Sequence, residues 1–227
     1  FRYDSITRYM HDARAALRKT RPGAIIYMNG QGLWPSWPNG RDNRRLAAHQ
    51  DLVGAEGGFI GGNLAGVSLW KPSMTAKLLE TQAGGKPRVI FIAGKHCGWD
   101  LYCLTPEETR LLYAQTIAHG ASPWYGMFFD TSGDPGARAA GEMNGFIKRA
   151  SSYLEGTASP ADVALLWSVR TADYYRATVP VTDFTPEGEK LTRQVRSGDH
   201  ARAFAGWFEC LTRRHVQFDV LDEKALE

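Results

Sequence analysis

The feature that most constrains the fold is the alternation of short, continuous apolar runs with helical segments. Runs of this kind occupy residues 24–30, 51–59, 88–94 and 124–130. Strands that are apolar at nearly every position, rather than at every second one, are typical of parallel sheets whose faces are both buried. The first part of the chain therefore predicts a series of parallel strand–helix units.

Helical periodicity separates these runs. The chain opens directly on an amphipathic helix with Ile6, Met10 and Leu17 on one face, so we expect the strand that precedes this helix to lie outside the chain. Further helices are predicted at 44–49, 74–81, 105–120 and 141–154. The start of the third is the clearest, because Thr-Pro-Glu-Glu at 105–108 predicts a capping box with a proline at the first helical position.

A second domain is predicted after a linker of small residues at 155–160. An apolar run at 163–168, a helix that begins at Asp199 and a strand at 216–222 form one strand–helix–strand unit of a doubly wound fold. We therefore predict two domains, at residues 1–157 and 160–227.

Composition excludes several classes of partner. The 227 residues carry a net charge of only +3, and the basic residues are scattered, so nucleic acid is not an expected partner. No apolar run approaches the ~20 residues that span a bilayer, so we also expect no membrane partner. No phosphate-binding loop or dinucleotide fingerprint is found, and no cofactor is predicted.

The three cysteines, Cys97, Cys103 and Cys210, are too few and too dispersed for a disulfide framework. A loop disulfide between Cys97 and Cys103 is conceivable, and His96 beside them raises the alternative of a metal site. Zinc requires three or four ligands at recognisable spacing, so we predict plain thiols and no metal.

Candidate site residues follow from the strand assignment, since functional side chains of a parallel barrel gather at the carboxyl ends of its strands. Carboxylates, amides and indoles dominate these positions, a mixture that suits the hydroxyl groups and apolar faces of sugars. Any single tryptophan could equally be a packing residue. The predicted binding residues are Tyr27, Asn29, Trp34, Lys95, His96, Trp99, Asp100 and Trp124.

Glu56 and Asp130 are the predicted catalytic residues. Cleavage of a glycosidic bond needs two carboxyl groups, and Glu56 ends a strand just before Gly57-Gly58, where a ligand can approach closely. Glu56 could instead be ion-paired or capping, and Asp130 could belong to an ordinary turn. Lys95 and His96 could be solvated loop residues.

The order of several segments along the chain resembles the second half of a catalytic barrel. The barrel is that of glycoside hydrolases related to the family 42 β-galactosidases and to α-L-fucosidase-like proteins. The segments that carry the resemblance are 24–30, 51–59, 86–94, 119–130 and 162–168. There the barrel is followed by a flavodoxin-like, amidotransferase-like trimerisation domain, to which residues 199–223 are similar. The resemblance implies an α/β chain made of the C-terminal half of a TIM (β/α)8 barrel and part of a flavodoxin-like doubly wound domain. It also implies a homo-oligomer formed through the second domain.

The resemblance does not carry over the catalytic residues. In the β-galactosidases the nucleophile ends the seventh strand, which here falls near Ala93-Gly94, and the general acid lies on the fourth strand, which would precede Phe1. Three hypotheses remain: a glycoside hydrolase that uses Glu56, a non-catalytic carbohydrate-binding or oligomerisation module, and an unrelated α/β enzyme such as an amidotransferase. Cys210 lies inside a predicted helix, which counts against the third.

Overall fold

A computed structural model of the chain describes residues 1–33, 36–37, 39–57, 69–96, 101–128, 132–174 and 199–227. The strands are β1 (Val53–Glu56), β2 (Arg88–Ala93), β3 (Ser122–Gly126), β4 (Val163–Leu166) and β5 (Phe218–Leu221). The helices are α1 (Arg2–Thr20), α2 (Asn43–Ala47), α3 (Lys71–Gln82), α4 (Pro106–Ala118), α5 (Pro135–Arg149), α6 (Ser151–Leu154), α7 (Val169–Tyr174) and α8 (Asp199–Arg213). A 3₁₀ turn, Glu223–Ala225, follows β5.

The strands form two parallel sheets. One has the order β1-β2-β3 and the other pairs β4 with β5. The expected parallel α/β arrangement is therefore confirmed, and the described residues form no closed barrel. None of the described helices is long and apolar enough to cross a membrane.

The predicted strand at 24–30 is wrong, because only Asn29 joins the sheet, through one parallel bridge to Gly54. Two amides of this segment bind side chains instead of a neighbouring strand: Ile26 N–H donates to the Asp51 carboxylate (2.8 Å) and Met28 N–H to the Gln50 side-chain oxygen (2.6 Å). The side-chain acceptors replace a strand ladder, so the segment runs beside β1 without regular pairing.

Helix starts follow local chemistry. The capping box of α4 is confirmed, since Thr105 Oγ1 accepts from Glu108 N–H while the Glu108 carboxylate accepts from Thr105 N–H. The predicted helix at 141–154 begins too late, because α5 starts at Pro135. The missed signal was Asp134-Pro135, a proline at the first helical position, which is a common helix start.

Helix α3 packs against both sheets. Ala76 and Leu79 pack on β1 and β2, whereas Met74 and Leu78 join Phe204, Phe208 and Val220 in the core of the second sheet. Residues 157–161, within and after the predicted linker, have no regular structure and lie between the sheets in sequence. The two sheets thus share one helix in their cores.

Candidate functional site

One face of the three-stranded sheet carries a row of three side chains that includes two of the predicted site residues. In the register of the strands Glu56 pairs with Phe91 and Phe91 pairs with Trp124, so the three side chains project from the same face. The alternate positions, such as Ala55 and Ile90, are buried against the helices. We call the side that carries Glu56, Phe91 and Trp124 the open face.

Two glycines make room for aromatic rings on the open face. A Cβ at Gly54 would lie 2.9 Å from the Tyr27 ring, and a Cβ at Gly126 would lie 2.3 Å from the Phe91 ring. Carbon atoms do not approach this closely without a shift, so a side chain at either position would displace a ring. Gly126 is therefore required by the packing of Phe91, and Gly54 by the packing of Tyr27 and by the Val89 carbonyl oxygen, which a Cβ would approach to 2.5 Å.

A hydrogen-bonded chain positions Glu56. Asn29 donates to Glu56 Oε1 over 2.8 Å, and Tyr27 donates its hydroxyl to the Asn29 side-chain oxygen over 3.3 Å. Burial, reinforced by the negative charge of Glu56 and opposed by Arg41, raises the pKa of Tyr27 to about 12. Tyr27 is therefore a neutral donor at physiological pH, and Asn29 fixes the direction in which the carboxylate points.

Aromatic rings border this carboxylate. Trp124 makes edge-to-face contacts with Phe91 (5.2 Å between ring centroids) and with Tyr27 (5.8 Å), yet 47% of its surface is exposed. A partly exposed indole on the same face of the sheet as a carboxylate, with Phe91 between them, provides an apolar platform together with hydrogen-bonding groups. This combination can bind a flat, hydroxyl-rich ligand.

The structure thus brings together four of the predicted site residues: Tyr27, Asn29, Glu56 and Trp124. Phe91 was not predicted as a site residue. The signal was its position between Ile90 and Ile92, because successive side chains of a strand point to opposite faces of the sheet. The predicted residues Trp34, Trp99, Asp100 and Asp130 lie outside the described residues, as does Cys97.

Lys95 and His96 lie in the loop after β2. His96 Nε2 is 3.2 Å from both carboxylate oxygens of Glu108, and Lys95 is buried where its backbone bridges Cys103. His96 is thus within hydrogen-bond distance of the carboxylate at the start of α4 rather than simply solvated.

The cysteines resolved by the structure are thiols. Cys103 donates its S–H to the Asp134 carboxylate over 2.8 Å, and this hydrogen bond, with burial, raises the pKa of the thiol. A thiol held in this way is a poor nucleophile, since the thiolate is the reactive form. Within the described parts of the chain, no three His, Cys, Asp or Glu side chains are grouped closely enough to hold a metal ion.

No protein-family model matches the chain, and no curated protein sequence matches it. Its architecture is an α/β fold with parallel strands. Among solved structures it is similar to alpha-L-fucosidase isoenzyme 2 from Paenibacillus thiaminolyticus, with a TM-score of 0.61 and 17% sequence identity over 95% of this chain.

The chain spans 29% of the length of that fucosidase. At this identity the similarity shows the fold alone, because unrelated chemistries recur on one fold. Function must therefore be argued from the open face itself.

Proposed function

We propose that the open face binds a carbohydrate and that the chain is part of a glycoside hydrolase-like protein in which Glu56 is an active-site carboxylate. The observation that carries the proposal is the row of Glu56, Phe91 and Trp124 across three parallel strands, with Asn29 bound to Glu56. A positioned carboxylate beside an exposed indole matches what cleavage of a sugar bond requires of one side of a site. The similarity in fold to an alpha-L-fucosidase supports this assignment.

We propose the same division of the chain as the sequence predicts. Residues 1–157 would form the C-terminal half of a (β/α)8 barrel, and residues 160–227 would begin a doubly wound domain that mediates oligomerisation. Parallel strands covered by helices in both parts support this arrangement. In such a barrel the second catalytic carboxyl group comes from another strand end, and Asp130 remains a candidate for it.

The test is turnover of aryl glycosides, including aryl α-L-fucosides, by the polypeptide that carries this chain. We expect Glu56→Gln to lower kcat by on the order of a thousandfold, because the amide can neither ionise nor accept a proton. Glu107→Gln is the matched control, since Glu107 is an exposed carboxylate on α4, and it should leave kcat unchanged. Undiminished turnover in Glu56→Gln, with Glu107→Gln equally active, would remove Glu56 from the catalytic machinery.

A non-catalytic carbohydrate-binding function is the second candidate. It is favoured by the fact that Glu56 is the one carboxylate among the paired positions of β1, β2 and β3, whereas hydrolysis needs two. Calorimetry with sugars distinguishes the candidates: sugar binding that Trp124→Ala weakens, without turnover of any aryl glycoside, identifies a binding module.

A further inference from the structure

A small cavity lies where the two sheets meet, apart from the row on the open face. Its volume is about 90 Å³, and it is lined by residues of α3, by residues that follow β4 and β5, and by residues between positions 31 and 44. Gln31 and Gly32 come from the segment that bridges β1, Trp167 directly follows β4, and Asp222 directly follows β5. The crevice beyond the carboxyl ends of parallel strands is the usual ligand position in open α/β sheets.

The carboxylates that line the cavity already have partners. Asp222 is almost fully buried and binds Arg44 through both carboxylate oxygens, while Gln82 donates to one of them. Glu223 accepts from the Ser168 hydroxyl and from two backbone amides. The third, Asp42, caps α2 and pairs with Arg45, which is outside the cavity lining.

Apart from Arg44, which is paired with Asp222, the cations of the lining show the opposite pattern. Arg41, Arg170 and Lys224 line the same cavity, yet their side chains make no hydrogen bond or ion pair within the ranges that the structure describes. Arg41 is half-buried, and a charge removed from water without a partner is costly. The lining therefore has carboxylates that are already paired and three cationic side chains, those of Arg170 and Lys224 exposed, that have no carboxylate partner among the described residues.

We propose that this cavity is a binding site for a phosphate- or sulfate-like oxyanion, held by Arg41 from the first part of the chain and by Arg170 and Lys224 from the second. The volume is several times the roughly 10–15 Å³ that one water-sized probe requires, so it leaves room for a tetrahedral group of five heavy atoms. Guanidinium groups bind such oxygens through paired N–H donors. The site goes beyond the proposed carbohydrate function and does not depend on it.

The oxyanion would link the two sheets. Its ligands come from the loop before α2, from the first turn of α7 and from the 3₁₀ turn after β5, so its binding should raise the thermal unfolding midpoint as well as release heat. The source can be free phosphate or a phosphoryl group on a sugar. These two ligands differ because the sugar of a phosphorylated sugar could add contacts with the protein that free phosphate cannot make.

The experiment is isothermal titration with sodium phosphate, sodium sulfate and glucose 6-phosphate at matched ionic strength, with sodium chloride as the blank. We expect wild-type protein to bind phosphate, and both Arg41→Gln and the double variant Arg170→Gln/Lys224→Gln to weaken this binding at least tenfold. The double variant changes two exposed side chains, so it should remain folded whatever happens to Arg41→Gln. Lys148→Gln, an exposed lysine on α5 outside the lining, is the control and should bind as wild type.

Each outcome decides the proposal. Phosphate binding that the cavity variants lose and Lys148→Gln keeps supports the site, and tighter binding of glucose 6-phosphate than of phosphate identifies a phosphoryl group on a sugar. Equal affinity for the two identifies a free oxyanion. No phosphate binding by wild type, or equal weakening by Lys148→Gln, overturns the proposal.

Discussion

At the residue scale, the environment of His119 at the end of α4 changes the acid–base chemistry of its imidazole. Burial, together with the positive charges of Lys77 and Arg88, lowers the pKa of His119 to about 4, against an ordinary value near 6.5. The folded protein therefore keeps this imidazole neutral at a pH where the unfolded chain would protonate it.

The consequence is that the stability of the folded protein depends on pH over a defined acidic range. Because the pKa of His119 is depressed on folding, its contribution to stability is fully present above pH 6.5 and is lost as pH falls from 6.5 towards 4. Replacing it with glutamine, which does not titrate, should remove on the order of 2 kcal/mol from the pH dependence of the free energy of unfolding.

Urea unfolding of wild type and His119→Gln at pH 7 and pH 4.5 measures this difference. His11→Gln is the control, since His11 is an exposed histidine on α1. An unchanged pH dependence in His119→Gln would show that the imidazole is protonated without cost in the folded protein.

At the scale of elements, the contact between α4 and α5 depends on one glycine. A Cβ on Gly136 would lie 2.3 Å from the Leu104 carbonyl oxygen and 3.0 Å from the hydroxyl groups of Thr109 and Tyr125. Gly136 is thus the point at which the start of α5 approaches the preceding loop and helix most closely.

A pair of substitutions on α5 tests this packing. Gly136→Ala should lower the free energy of unfolding by about 2 kcal/mol, because two helices must move apart to admit the methyl group. Gly141→Ala on the same helix has nothing within 4 Å of the new Cβ and should raise the free energy of unfolding by roughly 0.5–1 kcal/mol through helix propensity. Thermal and urea unfolding measure both. Equal effects of the two substitutions would contradict close packing at Gly136.

The elements that the sequence predicted well are those specified by nearby residues. The capping box at Thr105 and the apolar run of β2 use only local information, and both are confirmed. The segment 24–30 has an equally apolar sequence, but its amides bind Gln50 and Asp51, partners that no local pattern reveals.

The candidate site likewise combines features that nearby residues specify with features that distant residues specify. Glu56, Asn29 and Trp124 were found from their positions near strand ends, and the register that aligns Glu56 with Phe91 is a tertiary property. The contact of Arg44 with Asp222 joins residues 178 positions apart, so sequence spacing could not predict it. Expectation and structure thus diverge where distant segments supply the partner.

At the scale of the whole molecule, the two sheets are joined through α3 and through polar contacts around it. Asn43 bonds to Gln82, Gln82 to Asp222 and Asp222 to Arg44, in a buried network that spans both sheets. Burial raises the pKa of Asp222, whereas the hydrogen bonds from Arg44 and Gln82 lower it. The net effect is a pKa below the ordinary value of a carboxyl group.

We therefore expect the sheets to lose stability together. Leu78 lies on α3 in the core of the second sheet and is fully buried, so Leu78→Ala should cost about 3 kcal/mol. Because α3 also packs on the first sheet, hydrogen exchange of β2 amides should accelerate as much as that of β5 amides.

Leu111→Ala, at a half-exposed position on α4, is the control and should change exchange little in either sheet. Hydrogen exchange with mass spectrometry resolves β2 and β5 separately. Acceleration confined to β5 in Leu78→Ala would mean that the two sheets open independently.

Helix α3 also has a consequence for how the sequence tolerates change. Eight of its 12 residues are buried, because one helix fills the space between two sheets, and Ser73, Thr75 and Ala76 are small enough to permit this approach. A scan of all substitutions along the chain should therefore mark α3 as a nearly continuous intolerant block. In α5, with three buried residues among 15, the intolerant positions should be separated by permissive ones.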